Sequence, residues 1–353
     1  MNLKALGWNS FYAQEFATYA TDGHAVGRVI SEQKNYYRLY TEHGEKLAQV
    51  SGKMRHESYQ RGNYPAVGDW VVISNQPHEE RAIIRAILPR LSKFSRKVAG
   101  TTTEEQIIAT NIDTVFLVNA LNNDFNLRRL ERYLTLAWES GASPVIILSK
   151  ADLCSQTDDF RHQVQDIACG APVHVISSFT QQGLQELLPY LVYGKTVALL
   201  GSSGAGKSTL INALYGANVQ AVQDVRQGDD RGRHTTTSRE LILLPQGGII
   251  IDTPGMRELQ LWGSEDGVHG SFEDVEYLAA QCRFHDCRHE HEPSCAVQQA
   301  LQAGTLDQAR YDSYVKLKKE LAYLAQKENK LEYLANKQKW KKINQARREI
   351  NHQ

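Results

Sequence analysis

The sequence predicts a multidomain α/β protein built from three successive parts: an N-terminal β-barrel, a parallel-sheet α/β domain and a helical C-terminal module. Three observations carry that expectation. Short β-type runs recur about every ten residues between positions 26 and 88. From residue 115 to 251, continuous apolar blocks alternate with helical patterns. Three of the five cysteines then fall within fourteen residues, 282–295, at the head of a helical, polar region. A length of 353 residues accommodates two or three domains at roughly 150 residues each.

Composition narrows the function classes. Forty Lys and Arg offset forty Asp and Glu, so no global charge advertises a nucleic-acid or membrane partner. Hydrophobic residues at 41% and charged residues at 23% match ordinary globular usage and argue against disorder. No stretch approaches the ~18 apolar residues of a membrane span. The opening residues Met1 to Trp8 carry neither an apolar core nor a small-residue cleavage site. Five unevenly spaced cysteines are too few for a disulfide framework. A reducing, cytoplasmic setting without a membrane partner is expected.

The barrel is read from runs at residues 26–30, 36–40, 47–50, 70–73 and 82–88, separated by polar, glycine-bearing turns. OB-type and SH3-like closures both fit. Interleaved Tyr36, Tyr37, Arg38, Arg55, Tyr59, Arg61 and Tyr64 suit either stacking on single-stranded RNA or ordinary exposed strand faces. Residues 89–97 read as a basic linker. Beyond them, runs at 115–118, 145–148, 173–176, 197–200 and 249–251 are apolar throughout, as strands covered on both faces require. Residues 127–138 and 184–191 read as the intervening amphipathic helices. Between Lys316 and Arg348, eleven basic residues face three acidic ones, and Leu317, Leu321, Leu324, Leu331 and Leu334 recur at helical spacing. That basic amphipathic helix is either a solvated face or a phosphate-backbone contact.

The chemistry concentrates at Gly201, Ser202, Ser203, Gly204, Ala205, Gly206, Lys207, Ser208 and Thr209. This G-x-x-x-x-G-K-S-T loop follows a strand and opens a helical pattern. Its glycines let the backbone wrap a β-phosphate, Lys207 reaches β/γ oxygens, and the Ser208 hydroxyl ligates Mg²⁺. The apolar run 249–251 ends in Asp252, an acid suited to the Mg²⁺ shell, and continues through Thr253 and Pro254 to Gly255. Asp-x-x-Gly is the turn in which a glycine N–H senses a γ-phosphate, and no adjacent acid pair of the transporter-ATPase type follows Asp252.

A guanine reader is expected at Ser149, Lys150, Ala151 and Asp152, which resemble the Asn-Lys-x-Asp element. One carboxylate accepting from guanine N1–H and N2–H makes a pairing that adenine cannot offer. Ser149 stands in place of the usual Asn, which shortens its reach to base and loop. Ser177 and Ser178, followed by Gly183, resemble the loop whose N–H receives guanine O6. The order of these elements is base reader, phosphate loop, then Asp-x-x-Gly turn. An ordinary G domain begins with the phosphate loop, so the order predicts a circular permutation. The γ-phosphate switch then runs directly into the C-terminal module and can reposition it on hydrolysis. Residues 228–237 read as a polar, glycine-rich switch. Thr235, Thr236 or Thr237 caps Mg²⁺ and γ-phosphate, with Thr236 the candidate carried forward. Met256 occupies the place of a water-orienting Gln, leaving His234 either as the residue that orients water or as a surface histidine.

Cys282, Cys287, His289 and Cys295 form a Cys₃His set suited to a closed tetrahedral zinc site, with His285 and His291 as competitors for the imidazole. Cys154 and Cys169 read as isolated thiols. Two other classes share parts of this pattern: a P-loop ATPase or kinase, and a nucleotide-independent RNA-binding zinc protein.

With those motifs in hand, the chain resembles the ribosome small subunit-dependent GTPase A family (RsgA, also called YjeQ) over nearly its whole length. The resemblance rests on residues 201–209, Gly232 to Thr237, Asp252 to Gly255 and the Cys/His set. It implies an OB-fold barrel over 1–95, a circularly permuted G domain over 96–270 and a zinc-binding basic helical domain over 271–353. It further implies GTP hydrolysis to GDP and phosphate, with one Zn²⁺ per chain and Mg²⁺ accompanying GTP. Catalytic roles would fall to His234, Lys207 and Thr236. The implied partners are the 30S subunit and its 16S rRNA, with assistance to late maturation and stimulation by the subunit. The chain is expected to act as a monomer.

Overall fold

The computed structural model of the chain describes residues 1–20, 23–33, 36–57, 61–74, 81–97, 105–220, 239–252, 268, 271–290, 292–323 and 325–326. Helix α1 (Ser10–Ala17) precedes the barrel strands β1 (His24–Gln33), β2 (Tyr36–Thr41) and β3 (Gly44–Val50). Helix α2 (Gly52–Glu57) follows, then β4 (Trp70–Ser74) and β5 (Ala82–Ile87). β1 pairs with both β2 and β4, while β3 runs parallel to β5, so the five strands close in the order β1-β2-β3-β5-β4. This closure, with α2 between β3 and β4, is OB-type rather than SH3-like. Alternate residues Val29, Leu39, Ala48, Val71, Ile73 and Ile84 fill the interior. Leu6, Trp8 and Tyr12 of the N-terminal segment pack outside against Trp70.

The stretch at 89–97 is not the solvated linker its charge suggests. Lys93–Lys97 forms β6, which pairs antiparallel with β7 (Glu105–Thr110). Phe94 is buried, and Lys93 reaches Glu105 at 2.8 Å. Arg90 pairs with the fully buried Asp69 at 2.7 Å, so its charge is spent inside. The apolar Phe94 and one buried acid override the linker-like composition.

The second sheet is built from β8 (Thr114–Ala120), β9 (Ser143–Ser149), β10 (Val173–Val175), β11 (Thr196–Leu200), β12 (Glu240–Leu243) and β13 (Ile249–Asp252). Its order is β10-β9-β8-β11-β13-β12, parallel except for β12, which also meets β1 at Ser31↔Glu240. Helices α3 (Leu127–Glu139), α4 (Thr157–Gln165) and α5 (Lys207–Tyr215) connect and cover it. Val115 and Leu117 turn to a core shared with α3 and the C-terminal helices, and Phe116 and Val118 to a core shared with α5. Burial on both faces explains the unbroken apolar runs. Residues 184–190 wind as a 3₁₀ helix rather than the expected α-helix, with Pro189 inside the last turn. β12 was not legible as a strand: its four residues begin with Glu240, which pairs with Arg38 across the barrel.

In the C-terminal region, helices α6 (Glu273–Ala280), α7 (Ala296–Gln302) and α8 (residues 308–323) pack onto α3. The basic stretch expected through Arg348 lies outside the described residues beyond 326. No helix among the described residues is long and apolar enough to cross a membrane.

Arg28 on β1 holds these parts together. Its buried guanidinium donates to the carbonyls of Leu6, Gly68 (3.2 Å) and Asn111 (3.1 Å) and to the hydroxyl of Thr196 (2.9 Å). Burial pushes this guanidinium down to about 10, against the pull of Tyr12, Asp113 and Asp69. One side chain thus satisfies groups from the N-terminal turn, the barrel, the β7–β8 connection and β11.

Candidate functional site: the phosphate loop, the base pocket and a metal hook

The strand β11 delivers the chain to Gly201 at the carboxyl edge of the parallel sheet, where ligands sit in open α/β folds. A Cβ at Gly201 would stand 2.2 Å from the Val118 carbonyl, so only glycine lets the loop leave β11 this close to β8. Gly206 takes the left-handed conformation (φ 89°) immediately before α5. No side chain caps α5, which leaves its first-turn N–H groups directed into the loop as anion donors. The Lys207 ammonium curls over the loop and donates to the carbonyls of Gly201 (2.8 Å) and Ser202 (2.7 Å). Ser203, Gly204, Ala205, Ser208 and Thr209 complete the loop and the first turn of α5. β11 and β13 pair in register from Thr196↔Ile249 to Leu199↔Asp252, so buried Asp252 stands beside the strand feeding the loop.

The residues expected to read the base occupy the same edge, one strand beyond β8. Ser149 ends β9, and its buried hydroxyl donates to the Ala205 carbonyl at 2.6 Å and to the Asn119 carbonyl at 3.4 Å. The shorter side chain therefore reaches the phosphate loop. Lys150 takes a left-handed conformation (φ 60°), which turns the chain into the 3₁₀ turn Ala151–Leu153. The Ala151 N–H is held by the Ile176 carbonyl at 3.1 Å. The Asp152 carboxylate accepts from the Ser177 hydroxyl, which itself accepts from the Thr180 N–H at 3.1 Å. Ser178 follows, half-buried. The two base-reading segments predicted from separate motifs are thus locked to each other. His234, Thr236 and Gly255, with Thr235, Thr237 and Met256, lie outside the described residues.

A third segment at this edge escaped the sequence reading. Between β8 and α3, Asp124 accepts from the Ser202 hydroxyl at 2.7 Å, and Arg129 grips both Asp124 oxygens at 3.2 and 3.0 Å. The segment carries no named motif. Its only signal was an acid just ahead of Asn126, which caps α3 by accepting from the Arg129 N–H at 2.9 Å.

In the C-terminal region, the ligand atoms of Cys282, Cys287, His289 and Cys295 all lie within 4.8 Å of one another. The Sγ atoms of Cys282 and Cys295 are 3.8 Å apart, and His289 Nδ1 lies 3.5 Å from the first and 3.4 Å from the second. A tetrahedral ion with metal–sulfur bonds of about 2.3 Å and a metal–nitrogen bond of about 2.0 Å has S···S edges of about 3.8 Å and S···N edges of about 3.5 Å. The donor set therefore fits one ion with every position filled by protein. Burial alone would raise the Cys282 thiol, but N–H groups of Val297 and Ala296 at the start of α7 hold it below the ordinary value. Burial, with Lys318 adding and Glu292 opposing, lowers His289 and favours the neutral imidazole that a metal needs. Left-handed backbone at His289 (φ 61°) and Ser294 (φ 60°) shapes the hook. Of the competitors, His285 is not in the set and His291 lies outside the described residues. Cys154 and Cys169 stand apart from it, as expected.

A parallel sheet whose base reader precedes its phosphate loop, flanked by a closed barrel and a Cys₃His module, defines the class: a circularly permuted P-loop GTPase. Residues 87–262 match the family model described as RsgA GTPase, and residues 196–337 match one described as 50S ribosome-binding GTPase. The chain is 48% identical to small ribosomal subunit biogenesis GTPase RsgA 1 of Oceanobacillus iheyensis, over 97% of this chain and 98% of that one. It is 46% identical to the RsgA of Opitutus terrae, over 99% and 97%. Among solved structures, YjeQ from Thermotoga maritima superposes with a TM-score of 0.61 at 28% identity, covering 85% of this chain and 99% of that one. YloQ, a circularly permuted GTPase, gives 0.60 at 25% identity, over 86% of this chain and 97% of that one. The chain belongs to the RsgA GTPase family.

Proposed function

We propose that this GTPase hydrolyses GTP to GDP and phosphate while bound to the small (30S) ribosomal subunit, assists the late maturation of that subunit, and is stimulated by it. The observation that carries the nucleotide half is the Ser149–Ala205 hydrogen bond at 2.6 Å, which joins the base-reading strand end to the phosphate loop. The ribosomal half is supported by relatives named for small-subunit biogenesis at near-full coverage.

In this reading, the loop N–H groups of residues 201–209 and the Lys207 ammonium bind the β- and γ-phosphates. Ser208 and Asp252 hold Mg²⁺ with the nucleotide. Asp152 accepts from guanine N1–H and N2–H, the Lys150 stem lies along the base, and backbone at Ala151, Ser177 and Ser178 completes the pocket. Gly255 senses the γ-phosphate, Thr236 caps it, and His234 orients the attacking water. The Cys₃His hook takes one Zn²⁺, which would tie α6 to α7 with no open coordination position. The barrel and the zinc-bearing module contact 16S rRNA, and the protein acts as a monomer in the cytoplasm. The functional division follows 1–95, 96–270 and 271–353, with the β6–β7 ribbon straddling the first boundary.

The test is GTP turnover with and without purified 30S subunits. A faster rate with subunits, lost in Lys207→Ala, is expected. Equal rates with and without them would overturn the ribosomal assignment.

A further inference from the structure

Asp124 is an acid placed against a loop built for phosphate. Its Oδ2 accepts from the Ser202 hydroxyl at 2.7 Å, one residue into the loop, in a partly buried setting. An uncompensated carboxylate here would repel a triphosphate through a medium of reduced dielectric. Arg129, on the first turn of α3, answers that charge. Its Nη1 donates to Asp124 Oδ1 at 3.2 Å, and its Nη2 donates to Oδ2 at 3.0 Å, to the Asp124 carbonyl and to Asn119 Oδ1 at 3.5 Å. The Asn119 carbonyl in turn receives the Ser149 hydroxyl at 3.4 Å. The loop is therefore held from two sides, by Ser149 at Ala205 and by Asp124 at Ser202.

We propose that Asp124 and Arg129 form a charge-compensated clamp that holds Ser202 and keeps the phosphate loop receptive to polyphosphate. Arg129 is a positioning residue: it acts on the loop through Asp124, both of whose carboxylate oxygens it binds. The asymmetry between the partners is the signature of this arrangement. Removing Arg129 exposes an anion beside the loop, whereas Asp124→Asn removes that anion and keeps an oxygen able to accept from Ser202. A structural prop would show no such difference. The inference rests on the loop being the nucleotide site.

The experiment measures GTP and GDP affinity by titration calorimetry at low and high salt. The proteins are the full chain and its Arg129→Ala, Arg129→Gln, Asp124→Asn and Asp124→Asn/Arg129→Gln variants, each checked for folding by thermal melting. Arg129→Gln keeps the aliphatic stem and serves where Arg129→Ala does not fold. Expected is a loss of roughly 10- to 50-fold for GTP in the Arg129 variants, larger than for GDP. That loss should shrink at high salt. Asp124→Asn should cost about threefold or less, and the double variant should regain most of the lost affinity. An Arg129 loss no larger than that of Asp124→Asn, or a double variant no better than Arg129→Gln, overturns the proposal. If the unmodified chain fails to bind GTP, the nucleotide-site reading fails instead.

Discussion

Ser149 stands where the proposed base-reading element usually carries Asn, and its hydroxyl bonds to the phosphate loop. The hydroxyl sits 2.6 Å from the Ala205 carbonyl, close enough to brace the loop without the longer amide. Its loss in Ser149→Ala leaves that carbonyl without its donor, so GDP affinity should fall roughly 3- to 10-fold by titration. No change would mean the brace is unimportant. Gly201→Ala acts more severely, because its Cβ would meet the Val118 carbonyl at 2.2 Å and the backbone must move. Nucleotide affinity should drop by more than about tenfold. The same residue-level reading separates the named motif positions, which were legible because their chemistry demands particular side chains, from Asp124 and Arg129. Those two are ordinary surface types in the sequence, and only the return of α3 to the sheet edge brings them to Ser202.

Among the elements, the Cys₃His hook is the one whose four donor atoms, all within 4.8 Å of one another, could hold a metal ion. Cys295 caps α7 by accepting from the Gln298 N–H, and Cys282 follows α6, so an ion on these thiols joins the two helices. Chelation should lower the melting temperature, and Cys282→Ser should reproduce that loss without a further drop on chelation. The pH dependence has a definite sign. His289 in the folded chain titrates below its ordinary 6.5, so above 6.5 its contribution is fully present. As pH falls from 6.5 toward the lower folded value, the unfolded chain takes up the proton first and stability declines. Metal release followed with a colour-forming chelator should rise as pH falls, because protons compete with the ion for the thiolates and the imidazole, and release independent of pH would contradict the assignment. The spacing C-x₄-C-x-H-x₅-C foretold this element, because each ligand supplies its own chemistry. Ribbon β6–β7 was hidden because its residues look solvated until Phe94 and Arg90 find buried partners. Strand β12 was hidden by brevity.

Across the whole molecule, the C-terminal module docks on α3 through charge as well as apolar contact. Arg310 donates to buried Glu131 at 3.0 Å and to Asp274 at 2.6 and 2.7 Å, while Arg132 meets Glu320 and Arg128 meets Asp307. Arg310→Ala leaves buried Glu131 with Arg128 alone, at 2.6 Å, and removes the bonds to Asp274, and should cost about 1.5–3 kcal/mol, read as a lower denaturant midpoint. A midpoint within error of the parent would refute it. Helix α3 also carries Arg129, so the module and the phosphate loop share one rigid support. Amide exchange in residues 271–323 should therefore differ between GDP and a GTP analogue, and identical protection would exclude coupling. The three-part plan and the permuted order were readable because periodicity and motif order survive without tertiary context. The docking charges were not, since pairs such as Arg310–Glu131 stand 179 residues apart. Guanine selection rests on the Asp152 carboxylate that Ser177 steadies in this proposal. Calorimetric titration of the unmodified chain and of Asp152→Asn with GDP, ADP and xanthosine diphosphate tests it directly. An amide can donate to the xanthine 2-oxygen but cannot accept both guanine hydrogens, so preference should pass from GDP to xanthosine diphosphate, with ADP weak throughout. Tight ADP binding by the unmodified chain, or GDP binding untouched by the substitution, would contradict it.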